Sequence, residues 1–527
     1  MSMNRSIQYK NEQTKSNKWV ADLGNGYYKN PILYADYSDP DVIRVGSDFY
    51  MVASTFTYLP GLPLLHSKDL VNWKVVNYIV PRLPYKDYDL PAHGRGIWAP
   101  SIRYHDNKFW VYFSMPDEGI FMSNTEDPFG EWSPLVCVKE VKGWIDPCPL
   151  WDDDGNAYLV HAFANSRCGI KSILQVCKMS PDGTRLLDEG KYVFDGRVNH
   201  PTMEGPKFYK RNGYYYIFAP AGGVRTGWQT VLRSKNVYGP YEDRIVLHQG
   251  STDINGPHQG GLVELESGES WFIHFQDRDE YGRIIHLQPV KWENDWPIMG
   301  ENINEKGIGE PVKMYKKPDV GGNFPIVTPD TSDDFDDDKL GLQWQWQANP
   351  KKEWYSLTEN PGKLRMFNTN KPHENRYLWN IPNVLTQLFQ SPAFTATVKV
   401  ELTAKEKGDT AGLGIIGVDY SYICIAFNEG NYKILQVAGH VKDEIVTEVK
   451  VEEKDYPYNS VYLQVCLNET GYYYFSYSFD GRQFTKLGHT FKAKKGHWVG
   501  AKIGLFCVNQ VNCDSNGYAD FDDFIVE

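Results

Sequence analysis

Three carboxylates stand where the chain is tightly constrained. Asp39 is followed by Pro40, Asp146 by Pro147, and Glu204 by Gly205 and Pro206. Proline removes a backbone donor and fixes φ, and glycine admits angles closed to other residues, so the neighbouring backbone is set at each acid. Asp-Pro and Gly-Pro are also ordinary turn chemistry, and any one of them alone reads as that. Three gathered together read differently. Carboxylates crowded into one channel repel, which raises the pKa of at least one. A set with one group protonated and another ionised at the same pH suits acid/base hydrolysis.

Whether the three meet depends on the elements that carry them. Glu204 heads the stretch HPTMEGPKFYKRNGYYYIFAP at 200–220, in which Arg211, Asn212 and Gly213 form a tight turn before an aromatic strand. The same arm recurs as VGSDFYMVAS from Val45, HDNKFWVYFS from His105, DDDGNAYLVHAF from Asp152 and SGESWFIHFQ from Ser267. A short motif precedes each arm: SDPDVIRV with Asp39, WAPSIRY with Trp98, IDPCPLW with Asp146, EGPKFYK with Glu204 and HQGGLVEL with His258. A period of roughly 50 to 60 residues with several strands per copy predicts a β-propeller, here of five blades. The first strand of each propeller blade lines the axis, so Asp39, Asp146 and Glu204 are expected to converge at one end of the channel.

From Asp334 onward the strands alternate without that period and no helix-length amphipathic run occurs, which predicts a two-sheet β-sandwich. The expected organisation is all-β: an N-terminal arm at 1–28, the propeller at 29–318, a Pro/Gly-rich linker at 319–333 and the sandwich at 334–527, with the last strand pairing near the first. The 527 residues carry 55 basic and 67 acidic side chains, a net charge of −12, which argues against nucleic acid or an anionic membrane surface and for a neutral ligand. No apolar signal core opens the chain and no apolar run is long enough to span a bilayer, so a cytoplasmic location is expected. Eight scattered cysteines, without a CxxC pair, read as free thiols. Asp152, Asp153, Asp154 and Gly155 open like an EF-hand loop but lack its later glutamate, and read as a hairpin turn. Self-association into a homo-oligomer is compatible with all of this.

Taken in order, YSDPDVIRVGSDFYMVASTF, GIWAPSI, WIDPCPLWDDDG, EGPKFYKRNGYYYIFAP and GPHQGGLVE resemble the propeller of glycoside hydrolase family 43. The later FDDDKLGLQWQWQANPKKEWYSLTENPGKLRM resembles the concanavalin-like sandwich that accompanies β-xylosidases and α-L-arabinofuranosidases of that family. The resemblance implies an exo-acting, inverting hydrolase that releases terminal β-D-xylosyl or α-L-arabinofuranosyl units from hemicellulose oligosaccharides. It implies Asp39 as the general base, Glu204 as the general acid, and Asp146 as the carboxylate that raises and orients the acid. An inverting pair stands about 6.5–9.5 Å apart to admit a water, a span that opposite sides of a propeller channel offer.

The resemblance also matches Arg283 to an arginine that reaches the channel, and His258 to a histidine associated with a calcium ion there; no organic cofactor is implied. Calcium prefers oxygen, so such a histidine acts through water or gives one weaker bond. A hydrogen-bonded channel histidine is the alternative for His258, as a solvated strand charge is for Arg283. Phe56, Trp98 and Trp228 are candidate aromatic platforms for the C–H face of a pentose, although an inter-blade position is the commoner fate of such rings. Asp334 and Asp522 would be neighbours in the sandwich, where related domains hold a structural calcium; a solvated acidic edge explains them equally well. The alternative from another class is a catalytically silent carbohydrate-binding protein on this scaffold, which would lack one carboxylate. A fructan-cleaving propeller enzyme would lack EGPKF.

Overall fold

The computed structural model describes residues 18–368, 377–511 and 515–527. Five four-stranded antiparallel sheets follow in chain order: Asp41–Val45 to Trp73–Val80, Trp98–His105 to Val136–Glu140, Trp144–Trp151 to Lys191–Asp195, Lys207–Arg211 to Glu242–His248, and His258–Glu264 to Trp296–Met299. These are the five blades. The turn expected at 211–213 is present, with positive φ at Asn212 (50°) and Gly213 (71°) between the paired Arg211 and Tyr214. Asn-Gly tolerates this left-handed turn, whose twist matches that of the flanking strands. The second strand Lys108–Met115 (KFWVYFSM) is buried along nearly its whole length. Blades cover each other on both faces, so such strands lose the alternation of a half-exposed sheet.

Polar contacts between first strands knit the axis. Asp41 accepts from the Ile102 N–H at 3.0 Å, Arg103 reaches the Cys148 sulfur at 2.8 Å, the Lys207 ammonium donates to the Pro100 carbonyl at 2.9 Å, and the Tyr209 hydroxyl accepts the Leu262 N–H at 2.9 Å. The ring is tied at its seam by chain from outside the blades. Tyr27–Lys29 pairs with Met314–Lys316, and Tyr28, Ile32 and Leu33 enter the core shared by the first and fifth blades.

The C-terminal region is a sandwich of two seven-stranded sheets. Strand Phe394–Thr403 alternates residue by residue between buried and half-buried positions, the mark of a sheet with one face in the core. The last strand, Tyr518–Val526, lies between Leu364–Phe367 and Phe394–Thr403, and Asp333 bridges Phe524, so the end of the chain does pair near the start of this region. Propeller and sandwich join through backbone: Leu59 and Trp346 exchange hydrogen bonds at 2.9 and 2.6 Å, and Asn349 donates its N–H to the Tyr88 carbonyl at 2.7 Å.

Among the described residues Cys137, Cys148, Cys168, Cys177, Cys424 and Cys466 are free thiols, and Cys513 lies outside them. Asp152 to Gly155 close a hairpin, with the Gly155 N–H on the Asp152 carbonyl at 3.1 Å. Among the described residues no helix is long and apolar enough to cross a membrane.

Candidate active site

Asp39 sits just ahead of the first strand of the first blade, at a φ of 53°. Four donor contacts hold its side chain. Arg283, which opens the third strand of the fifth blade, places one guanidinium nitrogen 2.8 and 3.0 Å from the two carboxylate oxygens; Ser54 donates at 2.7 Å and Ser38 at 3.0 Å. Ser54 is itself fixed, because its hydroxyl accepts the Ala99 N–H at 2.7 Å. Charge-assisted bonds of this kind orient a carboxylate and offset the negative charge a general base must carry.

Asp146 lies in the first strand of the third blade, where the register shifts between Ile145 and Cys148 and φ reaches 58°. A bulge of this kind re-aims a side chain. Its carboxylate accepts the Gly205 N–H at 2.7 Å, so it grips the residue next to Glu204. Gly205 has a φ of 58°, and a Cβ there would fall 2.7 Å from Cγ and Cδ of Gln259, so glycine is required on both counts. Glu204 donates its own N–H to the Pro220 carbonyl at 3.2 Å, and its side chain remains 32% exposed, open to a ligand.

The electrostatics separate the roles. Burial, then the charges of Asp146 and Asp39, push Glu204 up to about 8. Burial also raises Asp146, to about 7, against the opposing Gly205 hydrogen bond. Each carboxyl holds its proton more firmly than an ordinary carboxylic acid. Glu204 therefore holds a donatable proton while Asp39 is clasped by a guanidinium.

Around this trio stand aromatic side chains. Phe56 is buried, with its ring edge-on to Trp98 at 6.0 Å, and Trp98 in turn meets Trp498 of the sandwich at 6.3 Å with the Arg167 guanidinium 5.4 Å over its ring. Trp228 opens the third strand of the fourth blade, paired with Ala221 next to the Pro220 that accepts the Glu204 N–H; it packs against Gly222, within 6.4 Å of the His200 ring and 6.3 Å of the His248 ring. His258 opens the fifth blade, fully buried, with Nε2 3.6 Å from a Glu204 oxygen. Burial first, then the charges of Arg283 and His274, lower it to about 3, so it is neutral.

The family described as glycosyl hydrolases family 43 matches residues 28–297, and the beta xylosidase C-terminal concanavalin A-like domain matches residues 332–527. The chain belongs to glycoside hydrolase family 43. A putative beta-xylosidase from Xylanibacter ruminicola is 43% identical over 92% of this chain and 87% of its own. A non-reducing end alpha-L-arabinofuranosidase from Bacteroides ovatus is 29% identical over 96% of both. The crystal structure of a xylan beta-1,4-xylosidase from Bacillus halodurans superposes with a TM-score of 0.83 at 25% identity, covering 95% of this chain and 99% of that one. As a family 43 glycoside hydrolase, the protein acts on a carbohydrate.

Family 43 brings the question of calcium, which the residues answer in part. Both ring nitrogens of His258 are buried without a hydrogen-bond partner, as is Oε1 of the adjacent Gln259, so the spot has unused polar capacity. Among the described residues no three His, Cys, Asp or Glu side chains are grouped to hold a metal. The site fits a single contact to a hydrated ion and not a protein-built cage of about six to eight oxygens. In the sandwich, Asp334 accepts the Asp336 N–H at 3.2 Å and Asp522 lies 4.0 Å from Lys363, and among the described residues neither belongs to a group of three side chains that could hold a metal.

Sequence reasoning missed several residues. Ser38 and Ser54 look like any strand-end serine, and their importance lies in the distance to Asp39. Lys207, inside EGPKFYK, was legible as a lysine heading a buried strand; it is fully buried and its charge bears on Asp146. Trp498 and its neighbours carry no sequence signal tying them to the propeller.

Proposed function

We propose that the protein is an exo-acting, inverting glycosidase that releases terminal β-D-xylosyl or α-L-arabinofuranosyl units from hemicellulose oligosaccharides. The observation that carries this reading is the opposition between Glu204, whose pKa burial and the charges of Asp146 and Asp39 push upward, and Asp39, gripped by Arg283 and two serines. Asp39 takes a proton from water, whose oxygen bonds to the anomeric carbon. The bond to the leaving oxygen breaks with its electron pair, and that oxygen takes the Glu204 proton. Asp146 keeps Glu204 in place through Gly205 and helps hold its pKa up. Proton transfer of this kind contributes about 10²- to 10⁴-fold for each group. Relatives named both β-xylosidase and α-L-arabinofuranosidase support a pentose and leave both sugars in play.

Phe56 and Trp98 form the apolar side of the terminal-sugar pocket in this reading, and the Trp498 loop of the sandwich limits its depth, which favours chain ends. The reading gives Trp228 a role in bracing blades rather than in sugar contact. His258 would hold a hydrated calcium ion through one nitrogen, and the ion would add positive charge beside the carboxyl pair. The test is nitrophenol release from the β-D-xylopyranoside and the α-L-arabinofuranoside side by side, with NMR reading the anomer first formed. Metal content before and after chelation addresses the ion. An inverted product from either glycoside is expected; retention, or no release by folded protein, overturns the proposal.

A further inference from the structure

Asp36 is buried three residues ahead of the candidate base, and none of the roles assigned so far uses it. One of its carboxylate oxygens accepts the backbone N–H of Arg283 at 2.8 Å, and the other accepts the backbone N–H of Gly500, in the sandwich, also at 2.8 Å. Three segments meet around it with no space to spare. A Cβ on Gly282 would fall 2.3 Å from Cγ of Asp36, and a Cβ on Gly500 would fall 2.7 Å from the Gly282 nitrogen. The next sandwich residue, Ala501, donates its N–H to the Glu280 carbonyl at 2.7 Å. After it comes Lys502, only 3% exposed, with its ammonium 4.2 Å from the centre of the Tyr58 ring. Burial pushes that ammonium down to about 8, and the charge of Asp36 opposes the fall.

The segment 36–39 thus grips Arg283 twice: Asp36 holds its backbone, and Asp39 receives its guanidinium. We propose that Asp36 is a positioning residue through which the sandwich, by way of Gly500, sets the placement of Arg283 and so of the base Asp39. The sandwich is then part of the base's support as well as a wall of the pocket. A displacement of about 1 Å at a reacting group costs on the order of a hundredfold in rate, so such a remote brace has kinetic weight.

This inference rests on the hydrolase reading above. Its test uses the full chain and the better of the two nitrophenyl glycosides, together with the matching disaccharide. The released monosaccharide, titrated calorimetrically, counts intact sites. Asp36→Asn keeps the shape but turns an amide N–H toward a backbone N–H. The expected result is a fall of about 10- to 100-fold in kcat per titrated site, equal for the phenol and the disaccharide because the base acts on water. KM and the monosaccharide Kd should stay within about threefold. Lys502→Met, which touches no substrate but removes a charge that bears on Asp36, should lower kcat in the same pattern, and the double variant should lose no more than the worse single, because both act through Asp36.

Should Asp36→Asn fail to fold, Lys502→Met decides. Values of kcat per site within twofold of wild type, a change confined to KM, or losses that multiply would overturn the inference. A wild-type chain that cleaves neither glycoside overturns the functional reading and this inference with it; an active wild type with indifferent variants overturns this inference alone.

Discussion

In the proposed role Glu204 releases a proton that its surroundings hold tightly, and this makes its pH behaviour predictable. Its pKa is raised to about 8 by burial and by the neighbouring carboxylates. Activity that needs the protonated form is present below that value and declines as pH rises through it. Asp146→Asn removes one negative neighbour, so the basic limb of the kcat/KM profile, which reports the free enzyme, should move to lower pH; an unmoved limb would leave Asp146 a purely structural role. The same shifts bear on stability. Folded Glu204 and Asp146 bind protons that the unfolded chain releases near pH 4, so their contribution is fully present below that pH and is lost as pH rises through about 7 to 8. Thermal melts should accordingly show wild type losing more stability than Asp146→Asn between pH 5 and pH 9. Glu204→Gln should cost about 10²- to 10⁴-fold in kcat/KM with a disaccharide and far less with an activated phenol, which needs little protonation. Equal losses on both would remove Glu204 as the acid.

The backbone devices that aim these acids belong to the scale of the element. Asp-Pro and Glu-Gly-Pro were legible as special positions, and five repeated turn-and-strand arms were legible as blades, because local chemistry alone specifies a hairpin such as Asn212-Gly213. The bulge at Asp146 and the left-handed φ of Gly205 are less so, since they depend on what neighbouring blades press against them. Gly205 offers the sharper test. Alanine there meets a φ of 58° and a Gln259 side chain 2.7 Å from its Cβ, in a buried spot. The left-handed angle alone costs about 1–2 kcal/mol. We expect Gly205→Ala to melt a few degrees lower and, because Asp146 grips this same N–H, to lose at least tenfold in kcat. A melting loss without a kinetic loss would mean that Glu204 is aimed by other contacts.

At the scale of the whole molecule, sequence could divide the chain but could not show how its parts meet. Asp36 and Gly500 are 464 residues apart and share no pattern; Trp498, in the stretch KKGHWVG, reads as a surface turn. Only the packed molecule brings this loop to the propeller, where Gly94 lies so close that a Cβ would sit 3.0–3.2 Å from His497 and Trp498. Val499 packs with Phe56 and Tyr58, while the Trp498 ring stays 46% exposed against Trp98. Trp498 therefore has little core to lose and a position from which it can meet a ligand. Trp498→Ala should leave the melting temperature within about 2 °C, as for a surface change. It should raise KM for short glycosides about three- to tenfold, in line with roughly 1 kcal/mol of lost aromatic contact. Longer oligosaccharides, whose extra units gain room once the rim is lowered, should be affected less. An unchanged KM across chain lengths would place the sandwich loop outside the substrate's reach and leave the propeller alone to define the pocket's depth.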